Sequence, residues 1–219
     1  MAIKILLVDD HVPITGFLEQ TLQRLQQPIE VTICNSFKAA YHTIFDNSIK
    51  PSFDLIFLDL SMPKYADKNI NNGEDLAILI RNTYPTIKII FLTGLYKNNQ
   101  LNRIIKTINP EGIFDKMDIK IDSFLKAMTM IFRGEYYKSI TVLESITNYN
   151  QITSCFDAID LQIINLIKEG VTTKNLPDYL PFTISGVNKR KQRIKEILGI
   201  DTGNDEDIIR ECRIKGVFS

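Results

Sequence analysis

Short apolar runs alternate five times with longer stretches of helical periodicity between the start of the chain and Phe132. Ile3–Val8, Glu30–Cys34, Leu55–Leu58, Ile87–Leu92 and Gly112–Phe114 are nearly unbroken hydrophobic runs, as expected of strands buried on both faces. Between and after them, Pro13–Leu25, Phe37–Phe45, Glu74–Arg81, Gln100–Ile108 and Ile121–Phe132 repeat apolar residues every three or four positions, which predicts helices. Strand and helix in strict alternation predict an α/β fold, a five-stranded doubly wound parallel sheet covered on both sides. In such a sheet the carboxyl ends of the strands open into one crevice. That rule groups Asp9, Asp10, Asp59, Thr93 and Lys116, each at the end of a different predicted strand or paired at the first one.

The rhythm stops at Phe132. Gly134, Tyr136, Tyr137 and a polar NYNQ stretch predict a linker over 133–152 with one helix near Thr141–Ile146. From 153 to 219 the periodicity is helical throughout, which predicts an all-α four-helix domain. Its helices are expected at Ala158–Lys168, Lys174–Leu180, Ser185–Leu198 and Asp205–Lys215. Gly170 and Gly199 serve as stops, and Asn204 as a cap. The domains are therefore expected at 1–132, 133–152 and 153–219.

Charge narrows the function. Lys and Arg together number 26 and Asp and Glu also 26, so the whole molecule exerts no net pull on nucleic acid and any such attraction is local. No apolar stretch approaches membrane-spanning length, and the first ten residues turn acidic where a signal peptide would stay apolar. Cytoplasmic residence without membrane insertion is the expectation. Cys34, Cys155 and Cys212 are odd in number and far apart, which predicts reduced thiols in packed positions. His11 and His42 show no metal-ligand spacing, and no additional catalytic base accompanies the acidic set, which argues against a dedicated phosphoryl-transfer enzyme.

The crevice itself is suited to phosphoryl chemistry. Asp9 and Asp10 offer hard oxygen ligands for Mg2+, and Asp59 can serve as ligand and nucleophile. Thr93 can hydrogen-bond a phosphoryl oxygen, and Lys116 brings a point charge opposite it. Converging carboxylates repel one another without a cation, so their grouping favours metal binding.

The segments VDD (Val8–Asp10), LDLSMP (Leu58–Pro63), FLTG (Phe91–Gly94) and FDK (Phe114–Lys116) resemble, in order and spacing, the receiver domain of two-component response regulators. The resemblance implies that Asp59 takes phosphate from a sensor histidine kinase. It implies that Asp9 and Asp10 serve Mg2+, that the Ser61 carbonyl completes the metal site, and that Thr93 and Lys116 read the phosphoryl group. Two features depart from the pattern. Lys64–Asn72 forms a longer polar loop before Gly73, and Ile113 stands three residues before Lys116, where an aromatic switch residue is usual.

Ser185–Leu198 is locally basic, with Lys189, Arg190, Lys191, Arg193 and Lys195 against Glu196. A basic helix behind a short helix and a turn is suited to the major groove of double-stranded DNA. Phe182–Ile200 (FTISGVNKRKQRIKEILGI), the preceding IINLIKEGVTTKNLPDYL and the linker GEYYKS (Gly134–Ser139) resemble the NarL, FixJ and LuxR type of helix-turn-helix output domain. The resemblance places Asn188, Lys189 and Gln192 toward base edges, Lys191 and Arg193 at phosphates and Ser185 among the DNA-contacting residues, and implies a homodimer on activation. Pro177 and Pro181 depart from it; Pro177 removes a backbone donor, which shortens or kinks the element that carries it. The expected function is a phosphorylation-dependent DNA-binding transcription regulator. The alternative is a phosphorelay or interaction module whose last helices bind protein.

Overall fold

A computed structural model describes residues 2–46, 53–94 and 98–218, with the backbone alone at Asn98 and Asn99. Met1 and Ser219, the outer ends of the expected domains, lie outside the described residues. The chain divides into two compact units, one of residues 1–96 and 103–143 and one of residues 97–102 and 144–219.

In the first unit, β1 (Ile3–Val8), β2 (Ile29–Cys34), β3 (Leu55–Asp59), β4 (Lys88–Thr93) and β5 (Gly112–Asp115) form the expected parallel sheet. A further strand, β6 (Tyr137–Lys138), pairs with β5, and the order is β2-β1-β3-β4-β5-β6. The sheet thus has six strands among the described residues, one more than expected. The addition comes from the anticipated linker. Tyr137 N donates to Glu111 O at 3.0 Å, Ser139 N to Ile113 O at 3.0 Å, and Asp115 N to the Ser139 hydroxyl at 3.0 Å. Two residues with no apolar run carry no strand signature; they are held by the open hydrogen-bonding edge of β5.

The helices of this unit are α1 (Val12–Leu22), α2 (Phe37–Phe45), α3 (Gly73–Thr83), α4 (Asn98–Ile108) and α5 (Ile121–Phe132). Pro13 sits in the first turn of α1, where its missing N–H is no loss, and Ser36 and Asn72 cap α2 and α3 through their side chains. Leu18 and Leu22 of α1 and Phe124, Ala127, Met128 and Ile131 of α5 bury one sheet face with Ile5, Leu7, Phe57, Ile90 and Phe114. The alternate residues Leu6, Ile56, Leu58, Ile89 and Phe91 point the other way and are also fully buried, so the sheet is doubly wound.

The Lys64–Asn72 loop is more ordered than its polarity predicts. Tyr65 and Ile70 exchange backbone hydrogen bonds of 2.8 and 3.1 Å around a 3-10 turn at Ala66–Lys68, and Asn69 closes it in the left-handed region at φ 55°. Ile70 is fully buried and pins this flap down, while the Tyr65 ring lies edge-on to Tyr41 of α2 at 6.0 Å. The chain then enters α3 against the β3 terminus: Gly73 N donates to Leu60 O at 3.0 Å, and a Cβ at Gly73 would lie 2.3 Å from the Asp59 carbonyl oxygen.

α6 (Ile140–Ser154) starts in the first unit and continues into the second, longer than the expected Thr141–Ile146. The second unit continues with α7 (Ala158–Lys168), α8 (Ile184–Leu198) and α9 (Asp205–Ile214). Ile163, Ile164, Leu176, Val187, Ile194, Ile208 and Cys212 form its core. The helix expected at Lys174–Leu180 is a single 3-10 turn, Leu176–Asp178, with Pro177 inside it, because a proline there supplies no N–H for an α-helical bond. Gly199 ends α8 at φ 73°, a conformation that disfavours any side chain. All three cysteines are free, Cys34 and Cys212 buried as expected; Cys155 is exposed, contrary to expectation, because it follows α6 at the surface before the next core residue.

Replacing Gly73 by Ala drives a methyl group into backbone. Gly73→Ala is expected to lose about 1–3 kcal/mol of stability in urea unfolding of the first unit. An unchanged midpoint would show that the β3–α3 junction is not close-packed.

Candidate functional site

The ends of β1, β3, β4 and β5 bring the acidic residues together as the alternation required. Asp9 follows β1 and Asp59 ends β3, and each is only 1% exposed. Lys116 follows β5, and its Nζ lies 2.8 Å from Asp9 Oδ2 and 3.0 Å from Asp59 Oδ2. The Asp9 contact is an ion pair without hydrogen-bond alignment, whereas the Asp59 contact is a hydrogen bond. Ser61 N donates to Asp59 Oδ1 at 3.1 Å, which fixes the carboxylate plane. Thr93, at the end of β4, is 1% exposed, and its hydroxyl is buried without a hydrogen-bond partner. A buried hydroxyl left this way costs stability unless a ligand completes it.

Burial raises the Asp59 pKa above its ordinary value, and the Asp9 charge adds to this; the Ser61 amide and Lys116 offset only part of it. Burial alone would lower the Lys116 pKa, but its close contacts with the Asp9 and Asp59 carboxylates and their charges outweigh it, and the net shift is upward. The site therefore concentrates negative charge where water is scarce and balances it with one ammonium group.

Asp10 is at the rim, with its side chain 35% exposed. His11, which its spacing had set aside, belongs to the same cluster. Its Nδ1 is 3.0 Å from Asp9 Oδ1, 3.0 Å from Asp10 Oδ1 and 4.0 Å from Asp59 Oδ2. One ligand atom from each of Asp9, Asp10, His11 and Asp59 falls within 4.8 Å of the others, an arrangement able to hold a metal ion. The signal was adjacency to the two aspartates, since ligand spacing along a helix does not apply to a strand terminus. Clustered carboxylates of this kind, with their hard oxygen donors, suit a hard divalent cation. Ile113 is fully buried on β5 beside Phe91, and no aromatic ring occupies its position.

In the second unit, Ser185, Asn188, Lys189 and Gln192 lie exposed on α8 at helical spacing, as one stripe. The remaining cations of α8 are engaged inside the unit. Arg190 Nη1 bonds Asp160 at 3.1 Å and pairs with Asp157, and Arg193 pairs with the fully buried Asp160 and donates to Cys155 O at 3.0 Å. Lys191 pairs with Asp205 and Thr173, and Lys195 donates to Gly203 O at 2.6 Å. Lys191 and Arg193, expected at phosphates, are thus occupied by carboxylates of α7 and α9. Among the described residues Lys189 alone of the five has no such partner. The Arg190 hydrogen bond and charge, with the Ile159 amide and the Arg193 charge, draw the Asp157 carboxyl below its ordinary pKa.

The family model of the response regulator receiver domain matches residues 5–118. A search of curated proteins returns no match. Among solved structures, the fold is similar to that of Salmonella typhimurium RcsB response regulator, at 18% identity and a TM-score of 0.63 over 95% of this chain and 97% of that one. A structure of two RcsB dimers bound to two parallel DNAs is similar at 19% identity and a TM-score of 0.66, covering 100% of both chains. A LuxR-family two-component response regulator from an Aurantimonas species is similar at 18% identity and 0.54, over 67% of this chain and 96% of that one. Among the described residues no helix is long and apolar enough to cross a membrane.

A folded-state pKa raised above the unfolded value means that the ionised Asp59 costs stability at neutral pH, and that the cost disappears as pH falls below its ordinary value of 3.8. Asp59→Asn, with chelator present, is expected to melt above the wild type at neutral pH, and the gap is expected to close in acid. A lower melting point for the variant at neutral pH would refute the unfavourable burial of this carboxylate. Arg193→Ala should cost on the order of 1–3 kcal/mol in the second unit, because a charged hydrogen-bond partner of buried Asp160 is removed. A chemical-denaturation curve superimposable on that of the wild type would contradict the role of that ion pair.

Proposed function

The chain belongs to the response regulator receiver-domain family, and on that premise we propose that it is a phosphorylation-dependent DNA-binding transcription regulator of a two-component system. The observation that carries the reading is the buried Asp59 carboxylate, 3.0 Å from Lys116 Nζ beside the unpartnered Thr93 hydroxyl. Phosphoryl transfer needs a nucleophilic oxygen, a compensating cation and a donor to the transferred oxygens, and these three groups provide them.

Asp9, Asp10 and Asp59 would hold Mg2+, with the Ser61 carbonyl as a further ligand. When bound, the ion neutralises phosphate charge and reduces repulsion between donor and acidic cluster. An Asp59 oxygen forms the new bond to phosphorus as the P–N bond to the kinase histidine breaks, and the ring nitrogen keeps the electron pair. Lys116 then pairs with a phosphoryl oxygen, and Thr93 donates its hydroxyl proton in a hydrogen bond to another. Hydrolysis of the acyl phosphate times the signal, so the chemistry serves signalling and not turnover of a separate substrate. A cytoplasmic location follows from a kinase donor and a DNA target.

In the output unit, the exposed stripe of Ser185, Asn188, Lys189 and Gln192 is the surface we assign to base edges. Asn and Gln pair with adenine, and Lys favours guanine acceptors. RcsB bound to DNA as dimers supports the same use of this unit, and two linked helices would gain avidity that one lacks. The internal pairing of Arg190, Lys191, Arg193 and Lys195 favours one alternative, a helix surface that binds protein, because only Lys189 is left to neutralise phosphate.

Coupling is assigned to the strand added to the sheet edge. Asp118, two residues past Lys116, accepts from Thr141 N and Thr141 Oγ1 at 2.9 Å each and thereby caps α6, while Ser139 holds Asp115. A shift of Lys116 toward a phosphoryl group is transmitted to α6 through these bonds without an aromatic residue at position 113.

Asp59→Asn is expected to take up no base-labile phosphate from a cognate kinase; stoichiometric labelling of that variant would overturn the assignment. Asn188→Ala and Gln192→Ala should each relax sequence preference by about 1–3 kcal/mol. Lys189→Ala should lower the salt dependence of DNA binding by about one unit, and Lys191→Ala should leave it nearly unchanged. Wild-type protein that carries phosphate yet binds no DNA would establish the protein-binding alternative. Asp118→Ala should accept phosphate normally while losing the phosphate-driven gain in dimer mass and DNA affinity, read by sedimentation and fluorescence titration; a full gain in that variant would exclude the route through α6.

A further inference from the structure

A cleft of about 440 Å3 opens at the end of the first unit away from the acidic pocket. Arg24 and Leu25 line it from the loop after α1, and Leu125, Phe132 and Arg133 from the last turns of α5. We propose that this cleft is a binding site for a small organic carboxylate, a single anionic head on an apolar body. The proposal does not depend on the chemistry of Asp59.

The position follows from the direction of the strands. Ile3 N donates to Pro28 O at 2.9 Å, so the loop between α1 and β2 sits at the amino end of β1, whereas Asp9 and Asp59 lie at carboxyl ends. Packing of α1 and α5 over one sheet face brings two guanidinium groups from distant parts of the sequence to one cleft. The first unit's other arginines, Arg81 and Arg103, are ion-paired with Glu111 and Glu74. Arg24 and Arg133 are exposed, and neither has a side-chain hydrogen-bond or ion-pair partner among the described residues. A guanidinium holds its N–H donors in a fixed fork that matches a carboxylate.

The floor between the two cations is apolar. Leu25 and Phe132 pack against the core cluster while staying partly open to the cleft, and Leu125 is half-buried in the same lining. Gln27 adds a neutral donor and acceptor. An apolar base with a few polar groups at its rim is the composition of a small-molecule site. Both α1 and α5 end here, and the partial negative charge of helix carboxyl ends accounts for cations at this place but gives their N–H groups no acceptor. The same partial charge favours a singly charged head over a dianion.

The test uses naphthylacetate with the full chain in magnesium-free buffer, followed by calorimetry and nuclear magnetic resonance. Saturable binding of one probe per chain is expected, with cross-peaks from the naphthyl protons to the Leu25 and Leu125 methyl groups. Arg24→Gln and Arg133→Gln should each weaken it about tenfold or more, the loss expected of a charge-assisted hydrogen bond. Naphthylethanol, which lacks the charge, should bind at least tenfold more weakly, about the loss of one such bond, and naphthyl phosphate no more tightly than naphthylacetate. Equal affinity for the alcohol and the carboxylate, or affinity unchanged in both variants, overturns the proposal. Tighter binding of naphthyl phosphate at the same leucines overturns the carboxylate assignment. Cross-peaks to Thr93 in place of the leucines put the probe in the acidic pocket and overturn the site. A doubled mass in sedimentation that perturbs the cleft methyls without probe also overturns it, because a second copy of the chain then fills the cleft.

Discussion

Two carboxylates removed from water share a single ammonium in this protein, and the arrangement of the first unit follows from that imbalance. Asp9 and Asp59 are too buried to be hydrated, and Lys116 reaches both at about 3 Å. Such a group is tolerable only where strand termini hold it rigidly, and the parallel sheet supplies three termini at one level: Asp59 opposite Leu92, and Thr93 opposite Asp115. The close approach of Gly73 to the Asp59 backbone holds the start of α3 tightly against the β3 terminus. Negative charge in excess of its counter-charge is what makes the pocket receptive to a divalent ion and, with that ion, to a phosphoryl group.

The second unit resolves a similar imbalance in the opposite way. Its basic helix meets carboxylates from α7 and α9, and the charges cancel internally around Asp160, whose side chain is fully buried. What remains at the surface is mainly polar, Ser185, Asn188 and Gln192 with one lysine. A face of this composition offers hydrogen bonds more than charge.

Much of this was legible in the sequence because parallel strands buried on both faces are written as unbroken apolar runs. Five strands and the five helices that cover them were readable for that reason, and the strand-end rule then assembled Asp9, Asp10, Asp59, Thr93 and Lys116 without any structure. Features that depend on a neighbour distant in sequence were not readable. Tyr137–Lys138 becomes a strand only because β5 has an open edge, and the polar flap is ordered by one buried residue, Ile70. His11 was passed over because ligand spacing is a rule for helices and hairpins, whereas here the ring joins the cluster by following the two aspartates at the strand end. The charges on α8 were counted correctly, but their partners lie 8 to 38 residues away.

The small strand β6 also bears on where the receiver fold ends. A chain stopped after α5 would retain every residue of the phosphate pocket and yet uncover the β5 edge, with the Ile113 carbonyl and Asp115 amide deprived of Ser139. An uncovered edge pairs readily with other edges, including that of an identical molecule. The smallest well-behaved form of the first unit therefore extends to the start of α6, and association seen in a shorter fragment would report exposed backbone and not signalling.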